Sequence, residues 1–377
     1  MSHKVRMGMI GGGSDAFIGA VHRMAANLDG KIELVCGVFS RDSMKSKASA
    51  KELSIENSRA YGAVDEMLKA EALLPENERM QFVTIVTPNY LHFEQSMQVL
   101  QHGFHVVCDK PVSLSSDEAK EIAALAKEKL LIFALTHNYT GYPLVKQARE
   151  IIRKGELGNI RKVIVEYTQG WLTDAIETEG QKQATWRTDP EKAGISCCLG
   201  DIGTHAENLL EYITGLEIDS LCADLNTFVE GRRLDDDASI LLRMNNGAKG
   251  VLFASQVAAG EENELKIRVY GDLGGLEWLQ SSPNELLLKW KTEPMQTMKA
   301  GVDKAYLSTK ALQASRLPGG HPEGYIEAFA NIYKAVADQI NGIKNCEYPS
   351  IEDGIRGMVF LEKAVESSHK GSIWLTL

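Results

Sequence analysis

Cysteine and long apolar runs are scarce in this chain, and basic residues are outnumbered by acidic ones. Its six cysteines, Cys36, Cys108, Cys197, Cys198, Cys222 and Cys346, form neither a C-x-x-C pair nor any metal-ligand spacing. Adjacent Cys197 and Cys198 cannot bridge easily. The pattern predicts reduced thiols in a cytoplasmic protein and excludes a cysteine-built metal site. Acidic residues outnumber basic ones, 51 to 41, for a formal net charge of −10. Such a surface repels phosphate backbones and anionic lipid, so nucleic acid and membrane surfaces are not expected partners. No stretch approaches a membrane span in length. The N-terminus enters a strand-like run almost at once, so no cleaved leader is expected. Internal repeats and low-complexity tracts are also missing. At 377 residues, with ordinary apolar and charged fractions, the chain exceeds one usual core and reads as a two-domain globular protein.

What is present begins at the N-terminus. Val5-Arg6-Met7-Gly8-Met9-Ile10 reads as a first strand, running into Gly11-Gly12-Gly13-Ser14-Asp15-Ala16-Phe17-Ile18-Gly19 and then a helical stretch through Met24 and Asn27. Glycine lets the backbone turn tightly and lets a pyrophosphate approach, and the helix N-terminus that follows offers free N–H groups. Gly11-x-Gly13-x-x-Ala16 fits the dinucleotide fingerprint with alanine in third place; alternatively Gly19 is the third glycine, after a three-residue insertion. An ordinary glycine turn is the competing reading. The strand before and the helix after favour the nucleotide, and they add Phe17 and Ile18 to the candidate cofactor contacts.

Strands and helices alternate through residues 1–138. Residues 32–39, 81–86, 105–108 and 130–135 read as further strands; 81–86 is nearly all apolar, as a strand buried on both faces should be. Residues 115–129 read as an amphipathic helix capped by Ser115 or Ser116. Such alternation implies a parallel, doubly wound sheet, which binds ligands beyond the carboxyl ends of its strands. Three polar clusters follow such ends: Thr87-Pro88-Asn89, Asp109-Lys110-Pro111 and Thr136-His137-Asn138-Tyr139.

After Asn138 the pattern changes. A helix at 143–153 precedes strand-like runs at 160–167, 221–228, 238–244, 248–256, 265–270, 275–278 and 285–290, with Asn245-Asn246-Gly247 as a hairpin signal. The fold class is α/β. An N-terminal doubly wound parallel sheet occupies residues 1–138. A C-terminal α+β domain with an open, mostly antiparallel sheet occupies 139–377, with helices at 201–213 and 325–341 and a last helix, 351–368, packing back on the body. Residues 291–318 read as a long loop or a partner-covering arm.

Gly200-Asp201-Ile202-Gly203-Thr204-His205 puts Asp201 and His205 four residues apart, on one face if the stretch is helical. A lysine, an aspartate and a histidine downstream of a dinucleotide fold are what hydride transfer at an alcohol carbon requires. Together with Thr87-Pro88-Asn89-Tyr90-Leu91-His92, Cys108-Asp109-Lys110-Pro111, Trp186-Arg187 and the glycine loop, these residues resemble the glucose–fructose oxidoreductase / inositol dehydrogenase / rhizopine-catabolism (Gfo/Idh/MocA) family over essentially the whole length. The resemblance implies a Rossmann domain joined to a domain built on an open antiparallel sheet. It also implies NAD(P)-dependent oxidoreduction of sugars, polyols or their derivatives, and a homodimer or homotetramer joined through that sheet. Two departures stand out. The glycine loop is three residues longer than usual, and Asp109 stands where the family commonly has glutamate.

By this resemblance Lys110 is the central lysine, donating to the substrate oxygen. His205 is the catalytic histidine, whose ordinary pKa near ~6.5 suits it to take a hydroxyl proton. Asp201 bonds the substrate or orients the base. Asn89 and His92, with Thr87, Pro88 and Asp109 beside them, lie near the nicotinamide and its ribose. Asn138 and Tyr139 line the substrate side. Trp186, Arg187 and Asp189, with Trp171 as a neighbour, suit a polyhydroxylated ring. His321 either faces substrate or caps the helix it opens.

Structural roles compete at each place: Lys110 as a surface residue, Asp201 as an N-cap, His205 and His92 as packing residues, Asn89 as a turn residue, Trp186 as core. The second strand ends in Phe39-Ser40-Arg41-Asp42. Ser40 and Arg41 suit a 2′-phosphate and lean the cofactor, NAD or NADP, toward NADP, while Asp42 blurs this. The expected function is hydride transfer between NAD(P) and a secondary hydroxyl or ketone of a sugar, inositol, polyol or glycoside. A ketosugar or small-carbonyl reductase and a non-catalytic nucleotide sensor are the alternatives. The family's sensors commonly lose the lysine or histidine, both present here. No metal is expected.

Overall fold

The computed structural model describes residues 4–14 and 16–377. It divides into two compact units, Met1–Asn138 with Tyr325–Ile355, and Tyr139–Gly324 with Arg356–Leu377. In the first unit the order is β1 (Val5–Gly11), α1 (Phe17–Leu28), β2 (Ile32–Val38), α2 (Ser43–Glu52), α3 (Val64–Leu73), β3 (Phe82–Val86), α4 (His92–Gln101), β4 (His105–Cys108), α5 (Ser116–Glu128) and β5 (Phe133–Leu135). All five strands are parallel, in the order β2-β1-β3-β4-β5. The chain therefore steps outward from β1 to β2 and then returns to the other side of β1 at β3. The carboxyl ends of β1 and β3 flank the point of reversal, where such sheets bind their ligands. Every residue of β3 is buried, because helices cover both faces. Ser115 caps α5 by accepting from the Glu118 N–H.

In the second unit α6 (Pro143–Arg153) and β6 (Ile160–Thr168) are followed by two short helices, α7 (Lys182–Arg187) and α8 (Pro190–Ala193). A wide π-type turn, Leu199–Gly203, then leads into α9 (Thr204–Thr214). Eight strands complete this unit's sheet: β7 (Ile218–Asn226), β8 (Asp237–Met244), β9 (Lys249–Ser255), β10 (Glu264–Gly271), β11 (Gly274–Leu279), β12 (Glu285–Trp290), β13 (Gln296–Lys299) and, at the end of the chain, β14 (Leu375–Thr376). Between β13 and β14 come α10 (Thr309–Ala314), α11 (Tyr325–Ile340), which belongs to the first unit, and α12 (Ile351–His369), which runs from the first unit into the second. The sheet order is β13-β12-β11-β10-β6-β9-β8-β7-β14, antiparallel except between β6 and β9. In β8 Ala238, Ile240, Leu242 and Met244 are buried while Ser239, Leu241 and Arg243 are exposed, the alternation of a sheet covered on one face. Asn245-Asn246-Gly247 does turn the β8–β9 hairpin, with Gly247 at φ +88°.

Several boundaries differ from the sequence expectation. Residues 291–318 are not a bare loop: β13 extends the sheet edge, and α10 is capped by Ser308, which accepts from the Ala311 N–H. Four mostly exposed residues carry too weak an alternation to announce β13; backbone pairing with β12 makes it a strand. The fifth strand is only Phe133–Leu135, because Leu130 at φ +55° ends α5 and is exposed. The run expected from 221 begins at Ile218 and stops at Asn226, leaving Phe228 exposed beyond it.

Buried histidines of the first unit, His22 and His137 among them, tie its stability to pH. Burial, opposed by Asp109, pulls the His22 pKa down to about 4; burial and then the Lys110 charge pull His137 down to about 3. Both lie below the unfolded value near 6.5. Their contribution is therefore fully present above that pH and is lost as pH falls through the folded values. About 2 kcal/mol per histidine should go between pH 6.5 and pH 5, read by urea unfolding. His137→Gln should flatten the decline. That variant separates it from Asp235 and Asp237, whose pKa values burial raises and which act in the opposite sense. A wild-type stability that does not fall between these pH values would contradict the assignment.

Candidate active site

At the end of β1, Gly11 and Gly12 have φ of +85° and +70°. A Cβ on Gly11 would lie 2.9 Å from Thr87 Cγ2, and one on Gly19 would lie 2.3 Å from Gly12 Cα. Gly19 is thus the glycine that lets α1 close on the loop, the role of the third fingerprint position; the intervening residues are an insertion. Ala16 is the N-cap of α1, and its N–H donates to the Gly13 carbonyl at 2.9 Å. It offers the helix no side-chain cap, so the first-turn N–H groups suit an anion. Phe17 is 75% exposed at this helix start and Ile18 is half-buried. These features fit a dinucleotide diphosphate.

At the end of β2, the Asp42 carboxylate accepts from the Met44 and Lys45 N–H groups and caps α2. Ser40 Oγ accepts from the Asp42 N–H, and Arg41 is exposed.

The strand-end clusters of β3, β4 and β5 are joined to one another. Thr87 Oγ1 donates to Gln95, Pro88 and Asn89 are half-buried, and Asn89 opens a single 3₁₀ turn. His92 is buried between the β3 and β4 loops, with Nδ1 2.7 Å from the Pro111 carbonyl and Nε2 2.7 Å from the Thr87 carbonyl; a neutral ring, with one N–H, donates to one of the two. Burial holds its pKa below the usual histidine value, against the opposing pull of the carbonyls and Asp109. Asp109 Oδ1 accepts from the Lys110 N–H at 2.9 Å and from Thr136 Oγ1 at 2.8 Å. Lys110 is half-buried in that turn, and the Lys110–Pro111 peptide is cis. Asn138, 1% exposed, has an amide nitrogen without a hydrogen-bond partner.

The second unit carries its own cluster. His205, on the first turn of α9, is buried with its ring edge-on to Tyr139 at 4.9 Å and tilted against Tyr167 at 6.3 Å. The Tyr139 and Tyr167 hydroxyls bond each other at 2.5 Å, and Tyr167 donates to Asn263 Oδ1 at 2.8 Å. Gln169 Nε2 donates to the same oxygen, and Gln169 Oε1 accepts from Trp171 Nε1 at 2.9 Å. Gln256, fully buried, donates to Asp201 Oδ2 at 2.9 Å and to Gln169 at 3.3 Å. Arg187 Nε donates to the same Asp201 oxygen at 3.1 Å; its guanidinium lies 4.1 Å from the Trp186 ring centroid and 5.9 Å from that of Trp171. Hydrogen bonds and ring contacts thus connect Tyr139 and Tyr167 through to Arg187. Buried Asp235 fixes the approach to α9 by accepting from the Cys197 and Leu199 N–H groups.

Asp201 is not a helix N-cap: it lies inside the π-type turn, and its side chain faces Arg187 and Gln256. Trp186 is half-buried rather than core. Asp189 is taken up locally, capping α8 and pairing with Lys192 and Arg233. His321 is exposed, with Nδ1 3.2 Å from the Pro318 carbonyl; α11 starts only at Tyr325. Sequence reasoning missed Tyr167, Gln169, Gln256 and Asn263. For the first three the signal was the one used in the first unit, since Tyr167, Gln169 and Gln256 stand at or just beyond the carboxyl end of β6 or β9; Asn263 instead precedes β10. No cluster of three or more metal-type ligands lies among the described residues.

Known proteins match the chain along its length. Residues 5–148 match an oxidoreductase family with an NAD-binding Rossmann fold, and residues 145–277 match the GFO/IDH/MocA C-terminal domain. The chain is 35% identical to the uncharacterised oxidoreductase YfiI of Bacillus subtilis, over 100% of this chain and 97% of that protein. It is 25% identical to levoglucosan dehydrogenase of Pseudarthrobacter phenanthrenivorans, over 98% and 97%. An inositol dehydrogenase homolog from Azotobacter vinelandii, solved with NAD+, is 34% identical with a TM-score of 0.95, covering 100% of this chain and 98% of that one. Its complex with NADH and myo-inositol gives 32% and 0.93 at the same coverage.

Proposed function

The chain belongs to the GFO/IDH/MocA family of NAD-binding oxidoreductases acting on CH–OH groups, and from that premise we propose that it oxidises a secondary hydroxyl of a sugar, inositol, polyol or glycoside. The same residues serve the reverse reduction. One observation carries the reading: His205 stands against two phenols in a platform of amides, indoles and a single Asp201–Arg187 pair. Hydroxyls need such mixed donors and acceptors, and the Trp171 and Trp186 rings suit the C–H face of a sugar. The myo-inositol bound by the Azotobacter homolog and the levoglucosan of the Pseudarthrobacter enzyme's name support that class.

In this reading Lys110 donates a hydrogen bond to the substrate oxygen and steadies charge as it develops. His205 removes the hydroxyl proton. Asp201, fixed by Arg187 and Gln256, accepts from a neighbouring hydroxyl. Tyr139, Asn138 and Asn263 orient the ring. Gly11, Gly13, Ala16, Phe17 and Ile18 hold the diphosphate end of the dinucleotide, and Thr87, Pro88, Asn89 and His92 shape the loop toward its nicotinamide end. The nicotinamide, when bound, supplies the hydride acceptor, so the carbinol carbon becomes a carbonyl as the O–H proton passes to His205.

The choice between NAD and NADP rests on the end of β2. Asp42 is engaged in capping α2, which leaves Arg41 beside Ser40 to meet a 2′-phosphate and leans the choice to NADP. The Azotobacter homolog was solved with NAD+ and with NADH, so the lean to NADP rests on the residues at the end of β2 alone. Exposed Leu241 lies in register with Val251 of β9, itself in register with Ile164 of β6, on the uncovered sheet face; we assign that face to a homodimer or homotetramer. A monomer by light scattering would refute that. Free thiols at all six cysteines suit a reducing cytoplasm.

Lys110→Met and His205→Ala should each lower kcat by about 10²–10⁴-fold while leaving the NADH dissociation constant within a few-fold. Near-normal turnover in either variant would remove that residue from the mechanism. For the cofactor, NADPH should bind more tightly than NADH in fluorescence titrations; tenfold tighter NADH would overturn the lean.

A further inference from the structure

Beneath the Asp109–Lys110 turn runs a buried line of polar groups that the reaction as described does not use. His22, on α1, is fully buried and packs edge-on against Phe329 and Tyr333 of α11, at 4.9 and 5.8 Å. Its Nδ1 lies 2.7 Å from Tyr333 Oη, and Tyr333 Oη lies 3.2 Å from Thr84 Oγ1 of β3. On the other side of the ring, Nε2 has no hydrogen-bond partner and sits 3.9 Å from Asp109 Oδ2.

The direction of this line follows from charge. A neutral imidazole carries one N–H. A proton on Nδ1 would leave the Nε2 lone pair facing a carboxylate, which is repulsive. The field of Asp109 therefore places the proton on Nε2. Nδ1 then accepts from the Tyr333 hydroxyl, which burial keeps protonated by raising its pKa. The Thr84 hydroxyl completes the line by donating to Tyr333 rather than to the Met7 thioether, a weak acceptor also at 3.2 Å. An apolar filling of the same space would avoid the desolvation of these groups. Their presence calls for an explanation at the end of the line, where Asp109 sets the Lys110 backbone.

We propose that His22 is a positioning residue for the dehydrogenase reaction: its Nε2–H steadies the Asp109 carboxylate, and through it the turn that presents the Lys110 ammonium to the substrate oxygen. The proposal rests on the role given to Lys110 above. The same helix begins at the glycine loop, so the line also joins the nucleotide end of the unit to Lys110.

A double-mutant cycle tests it. His22→Leu removes both ring nitrogens, and His22→Gln keeps a side-chain N–H. His22→Leu should lower kcat about 10-fold with the NADH dissociation constant within about twofold, and His22→Gln should recover most of the loss. In an Asp109→Asn background the added His22→Leu change should alter kcat by less than about twofold. Equal losses in both backgrounds, or a glutamine no better than leucine, would overturn the proposal. If His22→Leu does not fold, Tyr333→Phe carries the test, with about a threefold loss that disappears beside Asp109→Asn. Nitrogen-15 NMR of histidine-labelled protein reads the tautomer without any turnover. A proton on Nε2 is expected, and one on Nδ1 overturns the proposal. A wild-type enzyme inactive on every substrate would sink the functional reading and leave that tautomer result standing on its own.

Discussion

The Asp109 carboxylate is the group around which the first unit's chemistry is arranged. A partly buried carboxylate persists only if its oxygens are met by donors. Here one oxygen takes both the Lys110 N–H and the Thr136 hydroxyl, which ties the end of β4 to the end of β5. The other lies 3.9 Å from Nε2 of His22 on α1, a ring whose Nδ1 is 2.7 Å from the Tyr333 hydroxyl of α11. His92 lies between the carbonyls of Thr87 and Pro111. The Lys110 backbone is thus held by a carboxylate that the end of β5 also bonds. The aspartate keeps a carboxylate beside the lysine.

Much of the first unit was legible because its physics is local. Strands buried on both faces must be apolar runs, a glycine loop must follow the first of them, and polar residues at strand ends must face the ligand rim. Asp109, Lys110, Thr87 and Asn138 were singled out that way. Which residue filled the third glycine position was not legible, because Ala16 and Gly19 both fit as letters; the close approach of Gly19 to Gly12 decides it. His22 and Tyr333 stand 311 residues apart, and no local pattern links them.

The second unit shows the opposite balance. Its alternating strands announced an open sheet, yet its polar platform was mostly hidden. Tyr167 is the penultimate residue of β6, Gln169 follows that strand, Gln256 follows β9 and Asn263 precedes β10. These become neighbours only in the sheet order β10-β6-β9, which sequence order scrambles. Trp171, Trp186, Arg187 and Asp201 were visible as residue types suited to a sugar, but their mutual bonds were not. Asp189, read as part of the same cluster, caps a short helix instead.

The most direct measurement of the central claim is the wild-type enzyme mixed with NAD or NADP and each of a panel of inositols, free sugars and glycosides, followed by the absorbance of reduced nicotinamide. The account predicts turnover of at least one uncharged polyhydroxylated member. Tight cofactor binding with no turnover of any member, in either direction, would contradict it.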